Sequence, residues 1–538
     1  MRAALRDPDI AYRRRWLTLL VLCISLIVIT LDNTILNVAL PTLADPISEG
    51  GLNASASQQQ WIVDAYVIVF AGLLLTAGSL GDRFGRYRAL AGGLAVFGLG
   101  SLISAFADTA TTLIAARALM GVGGAFIMPS TLSIITNVFT EPAERGKAIG
   151  VWAGVSALGI GLGPITGGFL LAHFWWGAVF IVNVPIIVIG LVLGYVLVPE
   201  SRDPSKPRLD PIGAVLSIAG LTAVLWAVIE APSHGWTSGG TLAGFAVGFA
   251  ILAAFMLWEL HSSHPMLDMH FFSDPRFSAA SGAITLTFLA LFGTLFLLTQ
   301  YLQPVLGYST VKAGAVLLPQ AIVLMACALA SNTWVRRFGN KVVVTGGLLL
   351  VTTALLLFNT VDAGSSTLHV IAISLVLGMG MGNIMAPATD SIMGSLPRTK
   401  AGVGSAVNDT TRQVGGAVGV AAFGSLLASH YGSAMTDKLG GVLPPPLLAQ
   451  VSDNVGRAVE VASKAPPARP FAAQIIPAAQ DSFVGGMHVA FTVAAAITFV
   501  AAIGVARFLP ARPLEEAPID LSAAAEDDEP AGVYAEAD

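Results

Sequence analysis

Apolar runs recur along almost the whole 538-residue chain, and most are long enough to form helices that cross a membrane. A helix needs roughly 20 apolar residues to span the hydrocarbon core. Only 11% of the residues are charged, whereas soluble domains usually carry about 25%. The chain is therefore predicted to be an all-α polytopic membrane protein. Its fourteen predicted spans are 16–40, 59–80, 88–107, 110–137, 148–171, 175–198, 211–231, 240–260, 278–302, 312–334, 341–361, 366–392, 402–427 and 484–508.

The basic residues predict how these spans are oriented. If the N-terminus is cytoplasmic, 21 of the 28 lysines and arginines fall in inner segments and five fall in outer segments. Four of those five lie in one long outer loop, where the positive-inside rule counts least. The distribution predicts that both termini are cytoplasmic and that the protein lies in the plasma membrane.

Polar, proline-bearing stretches group the spans as six, two and six. Two bundles that rock about a site at the midplane are typical of alternating-access transporters. The tail after residue 508 is acidic and is predicted to be disordered. The predicted divisions are a cytoplasmic tail 1–15, a six-helix bundle 16–198, a linker with a two-helix insertion 199–277, a second six-helix bundle 278–508 and the tail 509–538.

The segment from Gly78 to Arg88 reads GSLGDRFGRYR and follows the second span. Glycines permit a tight turn, and a carboxylate at Asp82 can accept hydrogen bonds from arginine or from a helix N-terminus. Such a contact can hold two bundles together on one side of the membrane, although an ordinary basic turn is the alternative. The predicted latch consists of Gly78, Gly81, Asp82, Arg83, Gly85 and Arg86. The segment from Asn332 to Lys341 looks like a second copy without the acid, which leaves a second latch in doubt.

Glycines and a proline are regularly spaced in the fifth span. Small residues let helix backbones approach closely, and a proline removes a backbone hydrogen bond and allows a bend. Generic helix packing is the alternative to a functional motif. The residues are Gly150, Gly159, Gly163, Pro164, Gly167 and Gly168.

The Gly78–Arg88 string resembles the signature loop of the major facilitator superfamily. The fifth-span spacing is similar to the antiporter motif of the drug-exporting branches, and the segment from Leu31 to Pro41 resembles the first helix of the fourteen-span drug:proton antiporters. Arg117 with the glycines after it, and the string from Gly402 to Gly416, resemble the same branch. The resemblance implies the major facilitator fold, export in exchange for protons, and a role for Arg117 in proton coupling.

Three charged residues lie at similar predicted depth in the first bundle. A charge near the bilayer centre costs roughly 2.5–3.5 kcal/mol, so each needs a partner or a function. Asp32, Asp64 and Arg117 lie about 13, 8 and 10 Å from the outer ends of their spans, at ~1.5 Å per residue. We expect them to line one aqueous cavity, with Asp32 as the main proton carrier, Asp64 as a second carrier or cation contact, and Arg117 as the modulator. A fixed Asp32–Arg117 ion pair and a hydrated Asp64 are the alternatives.

The thirteenth span carries a second charged group, formed by Asn408, Asp409 and Arg412. Residues three and four apart are neighbours on a helix, so a local Asp409–Arg412 ion pair and a gating or substrate role are both open. Three further acids, Asp390, Glu230 and Glu259, lie near span ends and are expected to be solvated.

A substrate pocket is expected between the bundles near the midplane. Aromatic and polar side chains suit the binding of lipophilic compounds. The candidates are Tyr66, Trp152, Phe296, Gln300, Tyr301, Asn408 and Arg412. The outer segment 428–483 is long for a connection, and its stretch from Leu447 to Lys464 is predicted to form one amphipathic helix. It caps the outer mouth, docks an envelope partner or is a passive excursion.

The sequence thus predicts a proton-coupled antiporter that exports lipophilic, often cationic compounds. Its expected partners are small molecules, protons and membrane lipids, with no nucleic acid, no metal and no cofactor besides the proton gradient. No constellation of catalytic residues is present, so an enzyme is not expected. The alternatives are a dedicated exporter of a lipid or natural product, and a receptor or structural protein on the same fold.

Overall fold

The computed structural model describes residues 12–44, 48, 51–54, 56–203, 210–464 and 468–510. Fourteen helices in this part of the chain are long and apolar enough to cross a membrane, which confirms the predicted number. The predicted tail after residue 510 and the first eleven residues lie outside the described residues. The helices are α1 Arg15–Ala44, α2 Ala56–Phe84, α3 Arg86–Ala105, α4 Ala110–Val138, α5 Pro142–His173, α6 Asn183–Leu197, α7 Pro211–His234, α8 Gly239–His261, α9 Pro275–Gln300, α10 Thr310–Phe338, α11 Asn340–Leu357, α12 Thr367–Gly394, α13 Ala401–Leu439 and α14 Ala472–Phe508.

The outer surface of the helix assembly is apolar. Large hydrophobic side chains that are at least half exposed include Leu99, Phe169, Val192, Tyr195 and Val500. A soluble protein does not leave this much apolar surface in water, whereas helices in lipid satisfy their own backbone groups and turn apolar side chains outward. The fold and the surface together define a multi-pass membrane protein.

The sixth span is interrupted near its start. A short helix, Ala178–Ile181, precedes α6, which begins at Asn183. Pro185 has no N–H to donate to the carbonyl of Ile181, four residues earlier, so the helix cannot run through this point unbroken. The interruption places Asn183 at the first turn of α6.

Buried apolar residues form two main clusters. One is built mainly from α1 to α6 and the other mainly from α9 to α14; we call these helix groups the first and second bundles. A few residues pack into the opposite cluster, among them Ala328 and Ala386 in the first and Leu75 and Ala157 in the second. The two bundles therefore pack against each other through apolar side chains.

The inserted hairpin of α7 and α8 lies against both bundles. Gly72 of α2 faces Thr222 of α7, and Val224 and Val228 of α7 form a small buried cluster with Ala421 of α13. The hairpin therefore covers the line where α2 and α13 meet.

The predicted outer segment 428–483 is shorter in the structure, because α13 continues to Leu439 and α14 begins at Ala472. The predicted single helix from Leu447 to Lys464 is two helices, Pro445–Val451 and Val455–Lys464. Asn454 ends the continuity, since its side chain accepts a hydrogen bond from the backbone N–H of Arg457 at 2.8 Å and caps the second helix.

Candidate functional site

The first polar centre consists of a buried ion pair between α1 and α4. Asp32 and Arg117 are 0% and 1% exposed, and Nη1 of Arg117 lies 2.5 Å from Oδ2 of Asp32. The guanidinium also donates from Nε to the carbonyl of Ile62 at 3.0 Å and lies 4.4 Å from the ring centroid of Tyr66. The structure thus brings together two of the three predicted proton-coupling residues.

Asn183 completes this centre, and the sequence analysis did not include it. Its Nδ2 donates to Oδ1 of Asp32 at 3.0 Å and to Oγ of Ser101 at 3.1 Å. The sequence feature that could have pointed to Asn183 is an amide side chain within an apolar span, two residues before Pro185. Each carboxylate oxygen of Asp32 therefore has a donor, which stabilises the ionised acid in a dry surrounding.

Asp64 lies away from the Asp32–Arg117 pair, against our expectation of one shared cavity. It is half-buried, bonded to Gln60, and its electrostatic neighbour is Glu230 of α7. Residues two apart on a helix point about 200° apart. Because Tyr66 faces Arg117, Asp64 faces the inserted hairpin.

The glycine spacing in α5 sets the rotation of α1. A Cβ at Gly159 or Gly163 would collide with the side chain of Thr30 or Thr34, respectively. Thr30 and Thr34 therefore face α5, and Asp32, midway between them, points to the opposite side and reaches α4. Gly150, Pro164, Gly167 and Gly168 continue the close packing against α1 and α10.

The second polar centre lies in α13 and its neighbours. Arg412 is 3% exposed, and its Nη2 donates to Oγ1 of Thr389 at 3.1 Å. Thr389 donates to Asn408 at 3.1 Å, and Asn408 donates to Asp409 at 3.2 Å. Arg412 and Asp409 are thus linked through two uncharged side chains.

The local Asp409–Arg412 ion pair, one of two interpretations above, is absent among the described ion pairs within 4 Å. Arg412 instead extends between two aromatic rings, 4.6 Å from that of Trp152 and 5.0 Å from that of Phe288. Guanidinium groups stack on aromatic faces in this way. Trp152 belongs to α5 and Phe288 to α9, so Arg412 contacts both bundles.

The other predicted pocket residues are dispersed. Tyr66 belongs to the first polar centre, and Tyr301 is fully buried with its hydroxyl donating to the carbonyl of Asp362 at 2.5 Å, so it fixes a loop. Phe296 is half-buried beside Gly424 of α13, and Gln300 is half-buried near the end of α9. Trp152, Asn408 and Arg412 are the candidates that the structure brings together.

The predicted latch residues form a dense contact between α2 and α13. The Asp82 carboxylate accepts the backbone N–H of Gly402 at 2.9 Å and of Val403 at 3.2 Å, at the start of α13, and accepts Nε of Arg86 at 2.8 Å. Arg86 also donates from Nη2 to the carbonyl of Arg398 at 2.9 Å. An acid at a helix N-terminus is stabilised by the helix dipole.

Two glycines of this segment are required, Gly78 by close packing and Gly85 by its backbone conformation. A Cβ at Gly78 would lie 2.5 Å from the carbonyl oxygen of Gly402, and Gly85 has a φ of 122°, which disfavours other residues. Gly81 packs beside Ala89, and the Arg83 guanidinium lies 5.5 Å from the Phe84 ring. Burial near Gly85 raises the pKa of the Glu200 carboxyl.

Further contacts join the bundles at the same end of the molecule. Arg145 of α5 forms an ion pair with Asp390 of α12 at 3.0 Å, and Asn332 of α10 donates to the carbonyl of Ala143 at 2.8 Å. Asp390 was expected to be solvated, and this ion pair corrects that expectation. Glu259 was likewise expected to be solvated, but it is buried and accepts the N–H of Leu267 at 3.1 Å. Glu230 pairs with His234 at 2.9 Å.

In the described part of the chain, twelve spanning helices form two bundles with buried charges near their seam, and two more form the inserted hairpin. This architecture defines a multi-pass membrane transporter. The chain belongs to the Major Facilitator Superfamily, whose sequence profile matches residues 22–420. This confirms the predicted fold class and family and establishes a transporter, not an enzyme.

Named relatives of similar length resemble the chain over most of its length. It is 40% identical to the multidrug efflux pump LfrA of Mycolicibacterium smegmatis over 92% of this chain and 96% of that protein. It is 33% identical to the tetracenomycin C resistance and export protein of Streptomyces glaucescens, over 94% of each chain. The solved structure of the proton:xylose symporter XylE has the same fold, with a TM-score of 0.59 at 14% identity over 94% of this chain and 98% of that one.

Proposed function

We propose that the protein is a proton-coupled antiporter that exports lipophilic, often cationic compounds by alternating access. The observation that carries this proposal is the buried Asp32–Arg117–Asn183 centre in a chain similar to multidrug efflux pumps. A protonatable acid sealed from water needs a functional reason, because a buried charge is costly.

The proposed mechanism is competition between a proton and a compound. When Asp32 takes up a proton, its attraction to Arg117 falls and the arginine is released toward other acceptors. When the bundles open and a cationic compound approaches the ionised carboxylate, the proton leaves. Protonation and substrate binding then exclude one another, which couples the two flows. Asp64, beside Glu230, is proposed as a separate cation contact on the path from α7.

The inner-face contacts support a particular conformation. Asp82, Arg86, Arg145 and Asp390 join the two bundles at the end predicted to be cytoplasmic. We propose that they act as a latch that keeps this end closed in the present state and separates in the inward-open state.

The decisive test is the substitution Asp32→Asn, which preserves size but cannot carry a proton. Purified protein is reconstituted into liposomes with an acidic lumen, pyranine reports lumenal pH, and ethidium is added as a cationic probe. Wild type is expected to couple ethidium uptake to proton loss, and Asp32→Asn to lower that coupled flux by about tenfold or more, since Asn holds no exchangeable proton.

The control is Asp453→Asn, which changes an exposed acid in the outer segment. It is expected to transport as wild type does. Ethidium-driven proton loss at the wild-type rate in Asp32→Asn, at equal protein content, contradicts the role of Asp32.

A dedicated natural-product exporter is the second candidate, favoured by the similarity to the tetracenomycin C export protein. The same liposomes distinguish it from a broad exporter. A panel of structurally unrelated compounds moves protons if the range is broad, whereas a single chemical class does so if the exporter is dedicated.

A further inference from the structure

Arg412 has hydrogen-bonding capacity that the protein leaves unused. Its side chain is 3% exposed, and Nη2 is bonded to Thr389, yet Nε and Nη1 have no hydrogen-bond partner among the described residues. Buried hydrogen-bond donors normally have a partner, and an unpaired donor on a charged group costs the most free energy. Arg117, by contrast, donates from Nε to Ile62 and from Nη1 to Asp32.

The Arg412 guanidinium contacts aromatic rings from different bundles. Trp152 comes from α5 of the first bundle and Phe288 from α9 of the second, at 4.6 and 5.0 Å. Trp152 is itself fixed, because its Nε1 donates to Oγ1 of Thr131 at 3.1 Å. Because Phe288 and Arg412 belong to the second bundle and Trp152 to the first, a separation of the bundles at this level would remove Trp152 from the guanidinium and leave Phe288 in place.

We propose that Arg412 recognises aromatic compounds that carry hydrogen-bond acceptor oxygens, such as quinones, aryl ketones and phenolates. The aromatic ring of the compound takes the place of Trp152 on the guanidinium face, and its oxygens accept from Nε and Nη1. This proposal rests on the proposed export function and adds a substrate class that a carboxylate at Asp32 does not select.

The chain of uncharged partners explains why Arg412 remains available. A direct Asp409 contact would occupy its donors, but Asn408 and Thr389 stand between the two charges. Asp409 thus offsets the charge of Arg412 at a distance without using Nε or Nη1. A ligand oxygen can then accept hydrogen bonds from the unpaired guanidinium nitrogens without displacing an ion pair.

The test measures binding with two probes that share one ring system. The probe 2-aminoanthraquinone carries two quinone oxygens, and 2-aminoanthracene lacks them. Affinities are measured by probe fluorescence on the full-length protein in lipid nanodiscs. The substitution Arg412→Lys keeps the charge and loses the planar donors, so the Kd for the quinone is expected to rise about tenfold or more while that for 2-aminoanthracene changes less than about twofold.

Arg507→Lys, an exposed arginine at the end of α14, is the matched control and leaves both affinities unchanged. A second variant, Trp152→Phe, keeps an aromatic face and retains the preference for the quinone. An equal rise in Kd for both probes, or no rise for either in Arg412→Lys, overturns the proposal. The proposed export function fails separately, when wild-type liposomes move no protons with any compound.

Discussion

The buried arginines Arg117 and Arg412 differ in their direct partners. Arg117 is neutralised directly by Asp32 and packs on one aromatic ring, whereas Arg412 lies between two rings and meets no acid directly. Our proposals give these two arginines different roles. Arg117 would respond when its paired acid changes charge, and Arg412, with its unpaired donors, would bind a compound.

At the residue scale, Asn183 is expected to hold Asp32 in place beside Arg117. Asn183→Leu removes the donor to Oδ1 of Asp32 and leaves that buried oxygen without its hydrogen bond, at a cost of about 1–3 kcal/mol. Proton-coupled ethidium transport in liposomes at a fixed pH gradient is therefore expected to fall by about fivefold or more.

Ser101→Ala is the control for this prediction. It removes the second acceptor of Asn183 but leaves the Asn183–Asp32 hydrogen bond. We expect its coupled transport rate to stay near that of wild type. Identical rates in all three proteins, at equal protein content, would show that Asn183 has no influence on Asp32.

The depth of the charged residues along their spans could be predicted from the sequence, but the direction in which their side chains point could not. Counting along the spans brought Asp32, Asp64 and Arg117 to a common level, and the structure brings the first and third into contact. Depth does not give the rotation of a helix about its axis, which depends on packing against neighbours. Asp64 faces α7 because Ile62 and Tyr66, on the opposite side of α2, contact Arg117.

At the scale of elements, the packing of α1 against α5 controls where Asp32 points. Gly159 and Gly163 leave room for Thr30 and Thr34, and any larger side chain there must push α1 away or rotate it. We therefore propose that the glycine motif acts on Asp32 indirectly, by fixing the position of α1, and that it contributes to coupling in this way.

Gly163→Val is expected to lower stability by about 1–3 kcal/mol through overpacking and to lower the coupling ratio of protons to ethidium. Thermal unfolding in detergent and the liposome assay measure the two effects. Gly346→Val is the matched control, since no atom lies within 4 Å of a Cβ there. A stable Gly163→Val protein with the wild-type coupling ratio would contradict this role.

At the scale of the whole molecule, hydrogen bonds and an ion pair join the two bundles at the predicted inner face, in addition to the apolar packing of α5 against α10. Asp82 binds the first turn of α13, and the Arg145–Asp390 ion pair joins α5 to α12. The second of these contacts was not foreseen, because the acid lies in α12 and outside the segment from Asn332 to Lys341 where a second latch was sought. A contact between helices that are far apart in the sequence has no local pattern of residues from which it could be predicted.

Asp390→Asn is expected to favour opening at the inner face. The ion pair is partly exposed, so its loss is worth about 1 kcal/mol, or roughly a fivefold shift in population. Ser331 is buried beside this contact. Its replacement Ser331→Cys, in a background with Cys23→Ala and Cys327→Ala, is expected to react correspondingly faster with a maleimide that does not cross membranes.

Asp437→Asn, an exposed acid at the far end of α13, is the control and leaves the labelling rate unchanged. A labelling rate in Asp390→Asn that equals that of the parent would show that the ion pair does not hold the face closed. Labelling from only one side of sealed vesicles also reports which face this is.

The fold was therefore predictable in kind, since apolar run length, basic-residue placement and glycine spacing are properties of local sequence. The number of spans is confirmed. The partners of each charge were predictable only in part, as Asn183 and Thr389 show. They lie 151 and 23 residues from Asp32 and Arg412, respectively, and only the packing of whole helices brings them together.

The short outer helix Val455–Lys464 offers a site at which the position of the second bundle can be measured from outside the membrane. Its buried face, Val455, Ala458 and Ala462, belongs to the apolar cluster of the second bundle. A fluorophore attached at the exposed Ser463 therefore reports the position of that bundle as a whole. Energy transfer from there to a dye at the outer end of the first bundle converts the rocking motion into a distance read in real time, without a label inside the membrane.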